Sequence, residues 1–398
     1  MFKTVKLVNQ KKLENLNIND NEGKQIVNPT EIKGIITDHS KSKFRDESTK
    51  DINPFDGQAR PLLNCITHKD IRDSINKLNN GRAPGRDNVK LCNEYLKYAP
   101  PILDKQIAQI LNKTFESYES LRINDGFLIT LSKLGKAKRP PSNLRPIILL
   151  GSLRKILSTI VLSRIRPKKK YLYRIVKADL DITVIWAHRW LTAKVRKDAN
   201  LEINITGFDM SAAFDTNNKE ELLPILKEIV EEDELRSIQF LLSETALDVK
   251  VNGCTQETPF TTNIGPPQGD SLSPVLLIIY LENALKDIRS AQNNSQQPVH
   301  CMPSEIIYAD DIDFIGKERI SVRDIEKNLK KHRLKVNLDK TKHTCVRKDT
   351  EEWKISKKKS WFTSRKQRGY RALKTTFKHS ASQTNKYLEQ SKQNKTEN

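Results

Sequence analysis

Apolar residues recur at helical spacing in several segments of the chain, beginning near residue 67. Thr67 can cap a helix on which Ile71 and Ile75 share one face. Ser273 and Pro274 predict another helix start, because serine caps helices and proline suits the first helical position. The same spacing predicts further helices over residues 102–118, 151–165, 219–232 (with a kink or restart at Pro224) and from 322 onward.

Apolar and polar residues alternate in other segments, which predicts strands. Leu201, Ile203 and Ile205 alternate with polar residues and predict a half-buried strand over residues 201–210. Residues 126–150 predict a strand, a basic loop and a strand, and residues 305–316 predict a strand, a tight turn and a strand. Helices and strands without regular βαβ alternation predict an α+β fold.

The chain is strongly basic, which points to a polyanionic partner. Its 398 residues carry 70 Lys and Arg against 49 Asp and Glu, a formal net charge of +21. Such an excess favours nucleic acid or an anionic membrane surface as partner. Residues 353–398 alone hold thirteen Lys and Arg against two Glu, a net +11, which equally suits a solvated, disordered tail.

The chain shows no sequence signature of secretion or of a membrane anchor. The first residues, "MFKTVKLVNQKKLENLN", lack the apolar region of a signal peptide. The longest apolar run, Pro274 to Leu281, is much shorter than the roughly 20 residues of a membrane span. The five cysteines are scattered and form no CxxC pair, as expected for reduced thiols. We therefore expect an intracellular protein, nuclear and/or cytoplasmic, without a membrane partner.

Two acidic positions stand out in this basic chain. Asp209 ends one predicted strand, and Asp310 and Asp311 occupy the predicted turn at residues 305–316. Asp209 and Asp310 are 101 residues apart, so only tertiary folding could bring them together. Carboxylates that share a site remain ionised when a cation lies between them, and Mg²⁺ is bound in this way. The alternative is a simple turn, since paired aspartates are common at hairpin tips.

Three ordered motifs carry a resemblance to a known family. The segments "GFDMSAAFDT" (207–216), "GPPQGDSLSPVLLIIYLENAL" (265–285) and "YADDIDFIG" (308–316) resemble successive palm motifs of reverse transcriptases. Their flanks are similar to polymerases of non-LTR (LINE-type) retrotransposons, and the resemblance covers residues 65–345. It implies a right-hand polymerase with fingers, a palm and the start of a thumb.

The resemblance implies a metal site and a sugar-selecting residue. Asp209, Asp310 and Asp311 match the catalytic metal ligands, which would bind two Mg²⁺ ions, with Mn²⁺ as a possible substitute. Asp215 matches no metal position and suits the start of a helix instead. Phe214 matches the side chain that blocks a ribose 2′-OH and so favours deoxynucleotides; the alternative is a phenylalanine of the core.

The resemblance also implies nucleotide-binding residues. Gln268 and Gly269 match the segment that packs against the incoming nucleotide and template, where glycine permits close backbone approach. Arg145 in "LRPI" matches an arginine of the fingers. Three lysines complete the implied set: Lys133 and Lys136, each equally explained as a solvated charge, and Lys340, which resembles a lysine proposed to protonate the leaving pyrophosphate.

The chain departs from the family in three places. Residues 166–184 stand where the family has a glutamine-, glycine- and arginine-containing stretch that helps to guide the template. Residues 346–398 lack the apolar periodicity of a helical thumb, so we expect a basic tail and an incomplete thumb. No segment resembles an endonuclease. The expected domains are a polar extension over 1–64, fingers and palm over 65–345, and the tail.

The function expected from the resemblance is RNA-directed DNA polymerisation. An RNA template, a DNA primer and dNTPs would be its partners, and protein partners remain open. One alternative is an inactive remnant that only binds nucleic acid, as a degraded copy of an element would. Another is a viral RNA-dependent RNA polymerase, against which Phe214 and Ala309 argue, because such enzymes need a smaller gate residue and commonly carry glycine before the paired aspartates.

Overall fold

The computed structural model describes most of the first 346 residues of the chain. The described residues are 18–19, 23–55, 59–86, 92–117, 121–132, 140–165, 203–211, 217–251, 254, 257–293, 305–308 and 311–346. The expected tail, the atypical stretch over 166–184 and the basic loop at 133–139 therefore lie outside the described residues, apart from residue 346.

Nine helices are described in this part of the chain, together with eleven strands. The helices are α1 Pro29–Phe44, α2 His68–Lys77, α3 Asn93–Tyr98, α4 Pro101–Ser117, α5 Ser152–Ile165, α6 Lys219–Lys227, α7 Glu232–Leu242, α8 Ser273–Asn293 and α9 Val322–Lys331. The strands are β1 Ile18–Asn19, β2 Gln25–Ile26, β3 Gly126–Ser132, β4 Leu144–Leu150, β5 Ile203–Ser211, β6 Thr245–Val249, β7 Phe260–Thr262, β8 Glu305–Tyr308, β9 Asp311–Gly316, β10 Lys335–Val336 and β11 Lys342–Val346.

The strands form two larger sheets and one short β1–β2 pair. In the central sheet the strand order is β10-β5-β9-β8, and β11 also pairs with β5. All of these neighbours are antiparallel. In the lateral sheet the order is β4-β3-β6-β7, with β3 and β6 parallel. The mixture of helices with largely antiparallel sheets confirms the predicted α+β fold.

Two hydrophobic cores hold these layers together. The larger core joins the buried side of the central sheet, including Phe208 and Phe314, to helices such as α2, α4, α5, α7 and α8. The smaller core packs α1 against the lateral sheet through Ile32, Ile36 and Phe44. Residues 29–44 are therefore part of a packed core, whereas the boundary predicted between residues 64 and 65 stays a prediction.

Most predicted elements are present, but one is wrong in part and several observed elements were not predicted. The capped helix is α2, in which Thr67 and Asp70 form a reciprocal capping box. The helix predicted over 219–232 is wrong in its second half, because α6 ends at Lys227 and α7 begins at Glu232. Pro224 lies inside α6 without ending it. The sequence also did not predict α1, α3, α7 or the short strands β1, β2 and β7.

Among the described helices, none is both long and apolar enough to cross a membrane.

Candidate functional site

Asp209 and Asp311 lie opposite each other on two neighbouring strands of the central sheet, at the end of the β5–β9 ladder. They are Cα partners in the antiparallel β5–β9 ladder. Directly opposed residues in such a ladder have Cα atoms about 4.5–5.5 Å apart. Tyr308 of β8 is in turn the Cα partner of Asp311, so residues 309 and 310 form the short connection between β8 and β9. Asp310 itself lies outside the described residues, adjacent in sequence to Asp311.

Buried aromatic residues fix the register that brings these aspartates together. Phe208 precedes Asp209, and its ring packs edge-on against Phe314 of β9 with centroids 5.8 Å apart. Ile312, the Cα partner of Phe208, is also buried. A slip of one residue would move these apolar side chains out of the larger core, so their burial specifies the pairing of Asp209 with Asp311.

Lys340 and Asn337 contact the carboxylate of Asp209. The Nζ atom of Lys340 donates to Oδ2 of Asp209 at 2.6 Å, and Nδ2 of Asn337 lies 3.4 Å from the same oxygen. The backbone N–H of Asn337 also donates to the carbonyl of Asp209 at 2.8 Å. The side chain of Asp209 is 10% exposed and that of Lys340 is 44% exposed. The structure thus places the ammonium group of Lys340 in contact with the carboxylate of Asp209, at the predicted site.

The donor chemistry of this location suits a divalent cation. Asp209 offers carboxylate oxygens, the ligands that Mg²⁺ prefers, and one of them already accepts a cationic group. Within the described residues, no group of three or more His, Cys, Asp or Glu side chains could bind a metal. The carboxyl groups of Asp310 and Asp311 fall outside that description. Metal binding by the three aspartates therefore stays a prediction.

Gln268 and Gly269 dock on strand β4 of the lateral sheet. The backbone N–H of Ile148 donates to the carbonyl of Gln268 at 3.0 Å. Gly269 has φ +123, and a Cβ atom there would lie 2.5 Å from the carbonyl oxygen of Ile148. Only glycine permits this close approach. Arg145 lies on the same strand, three residues before Ile148, and is exposed. Strand β4 and the Gln268–Gly269 segment, which contact each other, therefore carry three of the predicted nucleotide-binding residues: Arg145, Gln268 and Gly269.

A buried arginine secures the residue that follows Gly269. Nε of Arg154 on α5 donates to Oδ2 of Asp270 at 3.2 Å, and both side chains are almost fully buried. Arg154 also donates to the side chain of Asn124 and, at 2.8 Å, to the carbonyl of Leu241. Burial lowers the pKa of Arg154, and the charge of Asp270 opposes that shift. This network ties the Gln268–Gly269 segment to α5.

The sequence did not single out Arg154 or Asp270. A signal for Arg154 is its position on α5, because it shares a helix face with Leu157 and Val161, which are both buried. An arginine on an apolar face requires a buried partner. Asp270 offered no comparable signal, because nothing local indicates a partner 116 residues away.

Arg333 connects the lysine-bearing segment to the N-terminal part of the chain. It lies in the turn between α9 and β10 with φ 54. Its Nη1 donates to Oδ2 of Asp46 at 2.9 Å and to Oγ1 of Thr49 at 2.8 Å. Hydrogen bonds from Ser48, together with the charge of Arg333, lower the pKa of Asp46. The turn that precedes Asn337 and Lys340 is thus anchored to residues 46–49.

Four predicted site residues lie outside the described residues: Phe214, Lys133, Lys136 and Asp310. Their roles stay predictions. Asp215, which was predicted at the start of a helix, also lies outside the described residues.

Comparison with known sequences identifies related proteins. A family profile described as "Reverse transcriptase (RNA-dependent DNA polymerase)" matches residues 135–393. The chain is 25% identical over 283 residues to the RNA-directed DNA polymerase from mobile element jockey of Drosophila melanogaster. That similarity covers 67% of this chain and 29% of the relative, so the chain spans less than a third of the relative's length.

Similar solved structures include two kinds of polymerase. A telomerase from Candida tropicalis, truncated from its C-terminal domain, has 18% identity and a TM-score of 0.41, covering 57% of this chain and 51% of its own. The RNA-dependent RNA polymerase of a human picobirnavirus has 12% identity and a TM-score of 0.48, covering 81% of this chain and 62% of its own. Both are distant likenesses, with TM-scores below 0.5.

Proposed function

This chain belongs to the reverse transcriptase family, and we propose that its central sheet catalyses RNA-templated DNA synthesis. The family profile and the mobile-element relative confirm the prediction of a reverse transcriptase domain of the non-LTR retrotransposon type. The right-hand polymerase fold of that family, α+β with fingers and palm, is confirmed with it. The central sheet corresponds to the palm.

The observation that carries the proposal is the pairing of Asp209 with Asp311. Their register places two acidic residues directly opposite each other at the short β8–β9 connection that holds Asp310. Asp209, Asp310 and Asp311 would together hold the divalent cations. When bound, Mg²⁺ would supply charge neutralisation on the phosphates and activate the primer 3′-OH.

The remaining predicted residues would position the nucleotide. Arg145 is exposed on β4, next to the segment that contains Gln268 and Gly269. A guanidinium there can bind a triphosphate through two parallel hydrogen bonds, and the close approach of Gly269 to Ile148 would hold the Gln268–Gly269 segment against the strand that carries Arg145. Phe214 would exclude a ribose 2′-OH. Such positioning accounts for most of the catalysis in phosphoryl transfer.

Primer extension on an RNA template tests this proposal. The purified chain is given labelled dNTPs with Mg²⁺ or Mn²⁺, and rNTPs in a parallel reaction. We expect extension with dNTPs in preference to rNTPs. Asp310→Asn should abolish extension while RNA affinity, measured by fluorescence anisotropy, stays within a few fold, because the variant loses one metal-binding carboxylate and keeps the RNA-binding surface. Full activity in Asp310→Asn, or a preference for rNTPs, would refute the proposal.

A further inference from the structure

The ion pair between Lys340 and Asp209 occupies the place where a cation is needed. The Nζ atom of Lys340 is 2.6 Å from Oδ2 of Asp209, which is a strong, charge-assisted hydrogen bond. Asp209 is nearly buried, and an acidic residue lies opposite it in the sheet. Lys340 supplies the positive charge that faces this carboxylate.

Local backbone structure delivers Lys340 to this position. Asn337 is tied to the backbone carbonyl of Asp209 at 2.8 Å, and residues Leu338–Lys340 form a single 3₁₀ turn. The N–H of Lys340 donates to the carbonyl of Asn337 at 3.1 Å, which closes the turn. Arg333, upstream of β10, anchors the same segment to Asp46. The backbone contacts around β10 therefore position Lys340 to form the ion pair with Asp209.

The side chain of Lys340 can also leave the aspartate. It is 44% exposed and has a flexible four-carbon stem, so its ammonium can move into solvent without disturbing the turn. A divalent cation on Oδ2 of Asp209 would repel the ammonium of Lys340, whose Nζ atom lies 2.6 Å from that oxygen. This repulsion disfavours the simultaneous binding of both cations to the oxygen.

We infer that Lys340 is a resident counter-ion of Asp209 that a divalent cation must displace when it binds. This rests on the proposed function, because it assumes that Asp209 is a metal ligand. Before metal binds, the ion pair compensates the charge of the nearly buried carboxylate. It also lowers the apparent metal affinity of the chain, in proportion to the fraction of chains in which the pair is formed. Metal binding also releases the ammonium, which becomes available to the phosphates of the nucleotide.

Direct binding of Mn²⁺ tests the inference without any polymerase reaction. The full chain is titrated with Mn²⁺ and free ion is followed by electron paramagnetic resonance. Lys340→Met should tighten binding roughly two- to tenfold, because the competing ammonium is gone. Lys340→Arg keeps the charge and should stay close to the parent. Lys335→Met is the matched control, since Lys335 is exposed on β10 and its loss reports only the general effect of one fewer positive charge.

Lysine labelling provides a second readout on the parent chain. Acetylation of individual lysines is followed by mass spectrometry with and without Mn²⁺. The labelling rate of Lys340 should rise when Mn²⁺ is added, whereas that of Lys335 should not change. An unchanged rate for Lys340, or Mn²⁺ binding by Lys340→Met no tighter than by Lys335→Met, would overturn the inference.

The variant Asp209→Asn separates this inference from the proposed function. If Asp209→Asn weakens Mn²⁺ binding but Lys340→Met leaves it unchanged, only the counter-ion role of Lys340 is overturned. Binding that Asp209→Asn does not alter would overturn both, because Asp209 would then not be a metal ligand.

Discussion

The amino group of Lys219 is buried at the start of α6, where water cannot solvate its charge. The residue is 1% exposed. Burial, together with the charge of Arg154, lowers its pKa to about 7, and the charge of Asp51 opposes the shift. In the unfolded chain the pKa is near 10.5. At pH values between these two pKa values, the unfolded state binds more protons than the folded state, so the free energy of unfolding rises with pH.

Replacing Lys219 by methionine should remove this pH dependence. Lys219→Met should raise the free energy of unfolding by about 1–4 kcal/mol at or below pH 7, because a buried charge is replaced by an apolar chain of similar length. The gain should shrink as the pH approaches 10. Urea unfolding at pH 6, 7, 8 and 9 measures it, with Lys227→Met at the exposed end of α6 as control. Parallel pH curves for the parent and Lys219→Met would contradict the prediction.

At the scale of single residues, the sequence predicted side chains that belong to motifs and missed those defined by distant partners. Asp209 and Asp311 were predicted to meet, and they are paired in the sheet. Lys340 was predicted at the site through its resemblance to a lysine of the family. Arg333 was not predicted, because its partner Asp46 is 287 residues away and neither residue lies in a recognisable pattern.

Among the elements, the contact between β4 and the Gln268–Gly269 segment depends on one missing Cβ atom. Gly269 has φ +123, a backbone conformation that other residues rarely adopt. A Cβ atom at this position would lie 2.5 Å from the carbonyl oxygen of Ile148, which belongs to the backbone and cannot rotate away. Any side chain at this position must therefore move the strand that carries Arg145.

Gly269→Ala should destabilise the chain and separate these two segments. The strained backbone alone costs about 1–3 kcal/mol, and the clash with Ile148 adds to it. Gly34→Ala is a matched control in the interior of α1, where nothing lies within 4 Å of the added Cβ and alanine should stabilise by about 0.5–1 kcal/mol. Urea unfolding compares the two. Equal effects of both substitutions would show that the close approach at Gly269 has no energetic importance.

Helix α1 is attached to the lateral sheet by a buried ion pair. The Nζ atom of Lys33 lies 2.8 Å from Oδ1 of Asp248 on β6, and both side chains are almost fully buried. The same oxygen accepts a hydrogen bond from the backbone of Thr258 at 3.0 Å. The pair therefore joins α1, β6 and the segment that leads to β7.

Lys33→Met should cost about 3–5 kcal/mol of unfolding free energy, because it leaves Asp248 buried without a counter-charge. Adding Asp248→Asn should restore most of that loss, since the neutral amide still accepts from Thr258. Thermal and urea unfolding of the single and double variants measure the coupling. A double variant no more stable than Lys33→Met would contradict this account of the pair.

The pattern of α1 explains why the sequence did not predict it. Ile32, Ile36 and Phe44 lie on the buried face, but Lys33 and Ser40 are buried beside them. Two polar residues on the packed side remove the contrast on which the 3.6-residue period depends. In α2 the buried face is marked by Ile71 and Ile75 and the start by a capping box, so its prediction succeeded.

At the scale of the whole molecule, the N-terminal region is connected to both sheets. Helix α1 packs on the lateral sheet, while residues 46–49 contact Arg333 beside the central sheet. The side chain of Asn263, just after β7, holds the same residues through the carbonyls of Asp46 and Thr49, both at 2.8 Å. These contacts join segments more than 200 residues apart in sequence, so local patterns could not predict them.

The central claim is that the Asp209–Asp311 pair is the catalytic centre of an RNA-templated DNA polymerase. Single-turnover primer extension on RNA, with one dNTP, tests it directly in the parent, in Asp209→Asn and in Asp313→Asn. Asp313 lies on the same strand as Asp311, opposite Gly207, and serves as the control. We predict a rate at least about 10²–10³-fold lower for Asp209→Asn and close to the parent for Asp313→Asn. A parental rate in Asp209→Asn, or an equal loss in both variants, would contradict the claim.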